Sequence, residues 1–143
     1  MSTEEHKRLV SGLVDQVWNQ HDATAIDRYF GPGLREEVAE HYQQLLRGFP
    51  DLQVTIEDEL IAEGDRVVAR LTLMGTHAGR FAGRSGSGQL VCWSSIRIYR
   101  FAGGMVVETW AMQDRLGLLQ QLGAVPELQP VNWAGSNQRS SPK

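Results

Sequence analysis

The sequence predicts an α+β fold, with helices first and a curved antiparallel sheet wrapped around a pocket after them. Three observations predict it. Residues 3–49 carry apolar positions at helical spacing. From residue 52 the period drops to two, the spacing of a strand with one buried face. Short glycine-bearing turns then separate long strand-like runs, as in a meander of hairpins. A chain of 143 residues has the length of one domain. We expect a single domain over residues 1–134 and a polar, disordered tail over 135–143.

The first helix is expected over residues 3–20. Leu9, Val10, Leu13, Val14, Val17 and Trp18 mark one face of it. Glu4 and Glu5 suit the positive end of its dipole. Asp22 is a good N-cap for a short second helix that buries Ile26, Tyr29 and Phe30, and Gly31-Pro32-Gly33 stops it. A third helix is expected over 34–49 with the stripe Val38, Tyr42, Leu45, Leu46 and Phe49. Pro50 ends it. These three helices should close one side of the sheet.

Leu52, Val54 and Ile56 begin the first strand, and Glu63-Gly64-Asp65 reads as a hairpin turn. Residues 66–77 are apolar on both faces: Val67, Ala69, Leu71 and Leu73 on one, Val68 and Met74 on the other. That pattern predicts a strand covered on both sides. Residues 75–89 hold five of the fifteen glycines and read as a flexible connection at a pocket rim. Their glycine spacing is wrong for a phosphate loop. A long strand over 90–101 and a tight turn at Ala102-Gly103-Gly104 lead to the final strand. A short helix over 115–122 ends at Gly123 and Pro126. Trp133 is expected to pack as an anchor.

The stretch Met105 to Gln121 organises the expected site. Strict alternation puts Glu108, Trp110, Met112 and Asp114 on one face of the last strand. An acid at the end of an aromatic-lined strand, held in a low-dielectric pocket, suits proton abstraction from an organic substrate. With Gly103-Gly104 as a two-residue loop, Trp93 lies opposite Asp114, Arg97 opposite Trp110 and Tyr99 opposite Glu108. A slip or bulge would instead bring Cys92, Ile96 and Ile98 to the pocket.

Composition narrows the function. The formal charge is −3, and no basic run argues for nucleic acid. The single cysteine, Cys92, excludes an internal disulfide and fits a reducing cytoplasm. The polar N-terminus is no signal peptide, and no apolar stretch is long enough to span a membrane. A small-molecule ligand is the expected partner, and the cytoplasm the expected compartment. No histidine pair has metal-ligand spacing, so no metal is expected.

FPDLQVTIEDELIAEGDRVVARLTLMGTHAGRF and IRIYRFAGGMVVETWAMQDRLGLLQQLG resemble the SnoaL-like polyketide cyclase (predicted ester cyclase) family. The likeness covers residues 49–123 well and the N-terminal helices loosely. Its most specific part runs from Glu108 through Trp110 and Asp114 to LGLLQQLG. The resemblance implies an NTF2-like cone-shaped barrel, usually a homodimer or homotetramer. It also implies intramolecular aldol closure of an anthraquinone-type ester, without metal or cofactor, with the acid matching Asp114 as general acid/base. Relatives of the same fold assist hydroxylation or have no known activity. A cyclase, a hydroxylation partner and a non-catalytic small-molecule binder therefore stay open.

An aldol closure needs a base and a group to steady the enolate oxygen. Asp114 is assigned as base and then acid, and His77 as donor; an N-cap and a rim histidine are the plainer readings. Trp110, Trp93, Tyr99 and Met112 are candidates for a slot around a planar ligand, or for plain core packing. Arg97 and Glu108 complete the candidate substrate-binding set, with Glu108 also a natural ion partner for Arg97 or Arg100. His6, His21 and His41 are expected to be solvated, and Cys92 to be a small hydrophobe.

Overall fold

A computed structural model describes residues 1–126. The expected anchor Trp133, the domain boundary at 134 and the tail 135–143 lie outside the described residues. Helix α1 (Thr3–Leu13) starts in a capping box. The Ser2 hydroxyl accepts from the Glu5 amide at 3.1 Å, and the Glu5 carboxylate accepts from the Ser2 amide at 3.2 Å. The helix runs on as a π-helical segment, Val14–Asn19. Such widened turns are rare and redirect the side chains that follow; here the segment carries Trp18. Asp22 caps the next turn, its Oδ1 accepting from the Thr24 amide at 3.0 Å, and α2 (Ile26–Tyr29) follows. Helix α3 (Arg35–Gly48) buries Val38 and Leu45 and half-buries Tyr42 and Leu46. Each such aliphatic side chain contributes roughly 1.5–3 kcal/mol when fully buried.

Four strands follow in a meander: β1 (Gln53–Glu63), β2 (Arg66–Thr76), β3 (Leu90–Ala102) and β4 (Met105–Gln113), paired antiparallel in that order. Gly64, Gly103 and Gly104 adopt positive φ at the two hairpins, which L-residues resist. A short helix, α4 (Arg115–Gln121), closes the described chain. Its Gln121 side chain bonds both the amide and the carbonyl of Cys92, at 3.0 and 2.7 Å. It thereby satisfies a length of β3 that β4 does not reach. No helix among the described residues is long and apolar enough to cross a membrane.

The concave face of the sheet carries Val67, Ala69, Leu71 and Leu73 of β2 and Trp93, Tyr99 and Phe101 of β3, all buried. Val10, Leu13, Val17, Phe30 and Leu45 pack with them in one core. Helices and core therefore share one side of the sheet. The expectation that β2 is covered on both faces does not hold among the described residues, none of which packs over the convex side. Met74 is exposed there, and Val68 is only half-buried.

The register of β4 is the second departure. Ala102 pairs with Met105 and Phe101 with Val106, but Arg100 pairs with Glu108, which leaves Val107 as an extra residue. A bulge of this kind reverses which face every later side chain takes. Val106 is fully buried. Without the bulge Glu108, Trp110 and Met112 would follow it inward, as alternation predicts. With it, Thr109, Ala111 and Gln113 turn inward and the expected set turns out. The inner face of β3 keeps Trp93, Arg97 and Tyr99.

Residues 77–89 are tied down. The His77 amide donates to the Gln89 carbonyl, the Gly88 amide to the His77 carbonyl, and the amides of Ala78 and Gly79 to the Gly48 carbonyl. Close approach explains one of the glycines: a Cβ on Gly79 would stand 1.9 Å from the Arg47 carbonyl oxygen. Gly79→Ala should therefore cost about 3 kcal/mol, the scale of severe overpacking. Urea unfolding at fixed slope checks it, and an unchanged midpoint would refute the contact.

Candidate functional site

Between α3, the π-helical segment and the concave sheet lies a cavity with two lobes. The outer lobe, about 220 Å³, is lined by Trp18, Phe30, Glu37, Val38, His41, Arg97, Tyr99 and Thr109. The inner lobe, about 30 Å³, lies among Leu45, Leu71, Leu73, Ser95 and Gln113. Trp18, His41, Arg97 and Tyr99 line both. Apolar side chains share the walls with Glu37, His41, Arg97, Thr109, Ser95 and Gln113, and apolar walls with placed polar groups are the usual character of a small-molecule site.

Three of those polar groups carry chemistry. Arg97 comes from the inner face of β3, and its Nη1 donates to the Thr109 hydroxyl at 2.9 Å. Pairing of Arg97 with Ala111 across the bulged hairpin sets Thr109 within reach. No carboxylate pairs with Arg97 among the described residues. Glu37 lines the same lobe without a salt bridge to Arg97, and a guanidinium so placed favours an anionic or strongly polarised oxygen. Tyr99 is buried, and burial pushes its phenol up to about 12 against the opposing pull of Arg97. It therefore stays a hydrogen-bond donor at any ordinary pH.

His41 is the third. Its ring meets the Trp18 ring edge-on at 5.6 Å. Burial, and then the charge of Arg97, bring its pKa from 6.5 down to about 4. The imidazole is neutral at pH 7, with its lone pair unprotonated. Stability carries the same signature. Above pH 6.5 neither state of the chain protonates this ring. As pH falls from 6.5 towards 4, the unfolded chain binds a proton that the folded one refuses, and stability is lost. Below about 4 both states bind it and the loss stops. The loss amounts to about 3 kcal/mol at most. Thermal melts should show it as a pH dependence between 6.5 and 4 that His41→Gln abolishes. Parallel pH profiles for the two proteins would contradict it.

Of the residues expected at the site, Arg97 and Tyr99 line the cavity. Trp93 is buried against Phe49, with ring centroids 5.2 Å apart, and its Nε1 donates to Gln113 Oε1 at 3.2 Å. It backs the inner lobe through Gln113. His77 is fully buried beside Phe49, with Nδ1 3.2 Å from the Ser87 hydroxyl. It lines neither lobe. Trp110, Met112 and Glu108 lie on the convex face because of the bulge: Met112 is 82% exposed and Trp110 44%. The Arg66 guanidinium stacks over Trp110, and Glu108 pairs with Arg100. Asp114 is half-buried and caps α4, its Oδ1 accepting from the Gly117 amide at 2.9 Å. It lines neither lobe; its neighbour Gln113 does.

The histidines expected in solvent are also placed differently. His6 is buried and stacked on Phe101 at 4.6 Å, and the His21 ring lies 2.7 Å from the Leu52 carbonyl. His41 falls three residues after Val38 and four before Leu45, on the apolar stripe of α3. That spacing was the available sign that it points inward. Burial pushes the Cys92 thiol up, so it is a poor nucleophile. No group of three His, Cys, Asp or Glu side chains among the described residues is arranged to hold a metal.

Comparison with known proteins agrees with this architecture. A family model for SnoaL-like polyketide cyclases matches residues 8–122. AclR from Streptomyces galilaeus, a candidate hydroxylase, is 32% identical, with 90% of this chain and 87% of that one covered and a TM-score of 0.82. A candidate SnoaL-like polyketide cyclase from Jannaschia sp. CCS1 is 27% identical over 87% of this chain and 95% of that one, with a TM-score of 0.78. IdmH from Streptomyces antibioticus, a candidate polyketide cyclase, is 25% identical over 81% and 96%, with a TM-score of 0.70. No protein with a curated description matches the chain. Four helices on a curved four-stranded antiparallel sheet are the NTF2-like α+β arrangement of these neighbours. The chain belongs to the SnoaL-like polyketide cyclase family.

Proposed function

We propose that the protein is a cofactor-free enzyme that closes a ring in an enolisable aromatic polyketide ester by proton transfer. The observation that carries this reading is the meeting of Arg97, Tyr99 and neutral His41 in one mostly apolar cavity. His41 removes the proton from the carbon between two carbonyls. The enolate oxygen falls to the Arg97 guanidinium and the Tyr99 hydroxyl. The enolate carbon then attacks a second carbonyl of the same molecule and forms the carbon–carbon bond. The new alkoxide takes the proton back from the imidazolium and becomes a hydroxyl. Arg97 links the steps electrostatically: its charge disfavours imidazolium in the empty cavity, and an enolate would cancel that charge as the proton moves. Asp114 is the competing base; its half-buried place one residue after Gln113 keeps it near the inner lobe.

Similarity to AclR, a candidate hydroxylase, favours one other reading, assistance to a hydroxylation that consumes oxygen and needs a reduced substrate or an oxidoreductase partner. An enolisable anthraquinone-type ester offered under nitrogen separates the two. Ring closure followed by proton NMR should proceed unchanged without oxygen. Turnover that stops under nitrogen and resumes with stoichiometric oxygen uptake would overturn the cyclase reading.

We also propose that the protein works as a homodimer in the cytoplasm, joined through the convex face of the sheet. Ile61, Val68, Ile98 and Trp110 form one apolar row across all four strands, with Ile96 and Met112 beside it. A patch this continuous is uncommon on a monomer. Trp110→Glu should convert a dimer to a monomer in sedimentation velocity. A variant that sediments as the wild type does would place the interface elsewhere.

A further inference from the structure

A second cleft lies at the C-terminal end of α3, lined by Gln44, Arg47, Arg80, Phe81, Ala82, Gly83 and Arg115, with a volume of about 330 Å³. Three arginines from three separate elements meet there: the last turn of α3, the loop 77–89 and the first residue of α4. No carboxylate lines the cleft, and none of the three is ion-paired among the described residues. Among the described arginines outside the cleft, Arg28, Arg35, Arg70 and Arg100 pair with acids, and Arg8, Arg66, Arg84 and Arg97 do not. Like charges gathered without a counter-charge repel, and an anion relieves the repulsion.

The cleft is also built with a firm wall. Phe81 packs on Phe49 at 5.0 Å, and a Cβ on Gly48 would stand 2.7 Å from the Phe81 Cβ. Phe81 and Arg84 exchange both backbone hydrogen bonds, at 3.0 and 2.9 Å, around a turn in which Ala82 and Gly83 take positive φ. The loop that presents Arg80 is thus fixed against the end of α3. The cleft and the cavity draw on two of the same stretches of chain. Gln44 and Arg47 line the cleft where His41 and Leu45 line the cavity, and Arg115 follows Gln113 by two residues.

We infer that this cleft binds a phosphoryl group, and that one ligand reaches both the cleft and the cavity. Guanidinium groups bind phosphate oxygens through paired N–H donors, and three of them suit a dianion or a phosphodiester better than a lone carboxylate. Two ligands share this chemistry: a substrate that itself carries phosphate, and an acyl chain delivered as a thioester on a phosphopantetheine arm. The inference goes beyond the ring-closing reading and stands if that reading falls.

Calorimetric titration of the full chain with inorganic pyrophosphate tests it. Saturable one-to-one binding that weakens with added salt is expected. Arg47→Gln, Arg80→Gln and Arg115→Gln should each weaken it about tenfold, the value of one charge-assisted contact. Arg8→Gln, on the exposed side of α1, should leave it unchanged, and thermal melts check that every variant is folded. Absence of saturable binding at millimolar pyrophosphate, or binding that the three variants leave intact, would overturn the site. A second arm compares pantetheine 4′-phosphate with inorganic phosphate. Tighter binding of the former, lost in the same variants, supports the thioester arm; equal binding supports a phosphate-bearing substrate.

Discussion

His41→Gln should lower turnover of an enolisable ester by about 10²–10⁴-fold, the usual worth of a positioned general base, while the fold and ligand binding persist. Glutamine keeps a polar side chain of similar reach on α3, so Trp18 and Val38 retain a neighbour. The variant loses only the atom that accepts the proton. Asp114→Asn is the matched control, because asparagine caps a helix about as well as aspartate. It keeps the bond to the Gly117 amide and removes the charge. If His41 is the base, Asp114→Asn keeps most activity. A dead Asp114→Asn beside an active His41→Gln would return the base to the end of β4. The pH profile adds a further mark. Free His41 is neutral down to about pH 4, so kcat/KM should stay level through neutrality and fall only on the acid side.

Arg97→Gln should cost about 10²–10³-fold in kcat, as the loss of one preorganised oxyanion donor does, with a smaller change in KM. The guanidinium has no carboxylate partner among the described residues, so its removal breaks no ion pair. Its hydrogen bond to the Thr109 hydroxyl is one that solvent or glutamine can replace. Stability should therefore change little. His41 should respond as well: with the neighbouring cation gone, its pKa should rise from about 4, though burial, the larger cause, keeps it below 6.5. NMR titration of the imidazole reads this directly. A His41 pKa that does not move in Arg97→Gln would break the link between the two groups.

Much of the fold was legible because period and punctuation are local. Helical stripes, the Asp22 cap, the Gly64 and Gly103-Gly104 turns and the strand order all follow from neighbouring residues. The face of β4 does not. One extra residue, Val107, reverses every side chain beyond it, and no residue type in VVET announces a bulge. Trp110, Met112 and Glu108 were expected inside on alternation from Val106; the alternative of a bulge was expected to turn Cys92, Ile96 and Ile98 inward, but it reverses β4 and leaves β3 as it is. β2 looked covered on both faces because its convex side carries Val68 and Met74, apolar residues that no other described residue covers. Arg97 and Tyr99 keep the inward face expected of them because β3 is unbroken. His41 was expected in solvent for another reason: a histidine among charged neighbours reads as solvated unless its place relative to Val38 and Leu45 is counted. The basic cleft joins residues 47, 80 and 115, which no spacing rule connects.

Solvent deuterium uptake tests the central assignment most directly. The protein is incubated in D₂O with an aromatic β-keto ester unable to cyclise, and proton NMR follows the carbon between the two carbonyls. Loss of that signal at a rate set by the wild-type enzyme, slowed in both His41→Gln and Arg97→Gln and nearly unchanged in Asp114→Asn, is the predicted result. Uptake no faster than in buffer, or uptake that survives both cavity variants, would contradict it.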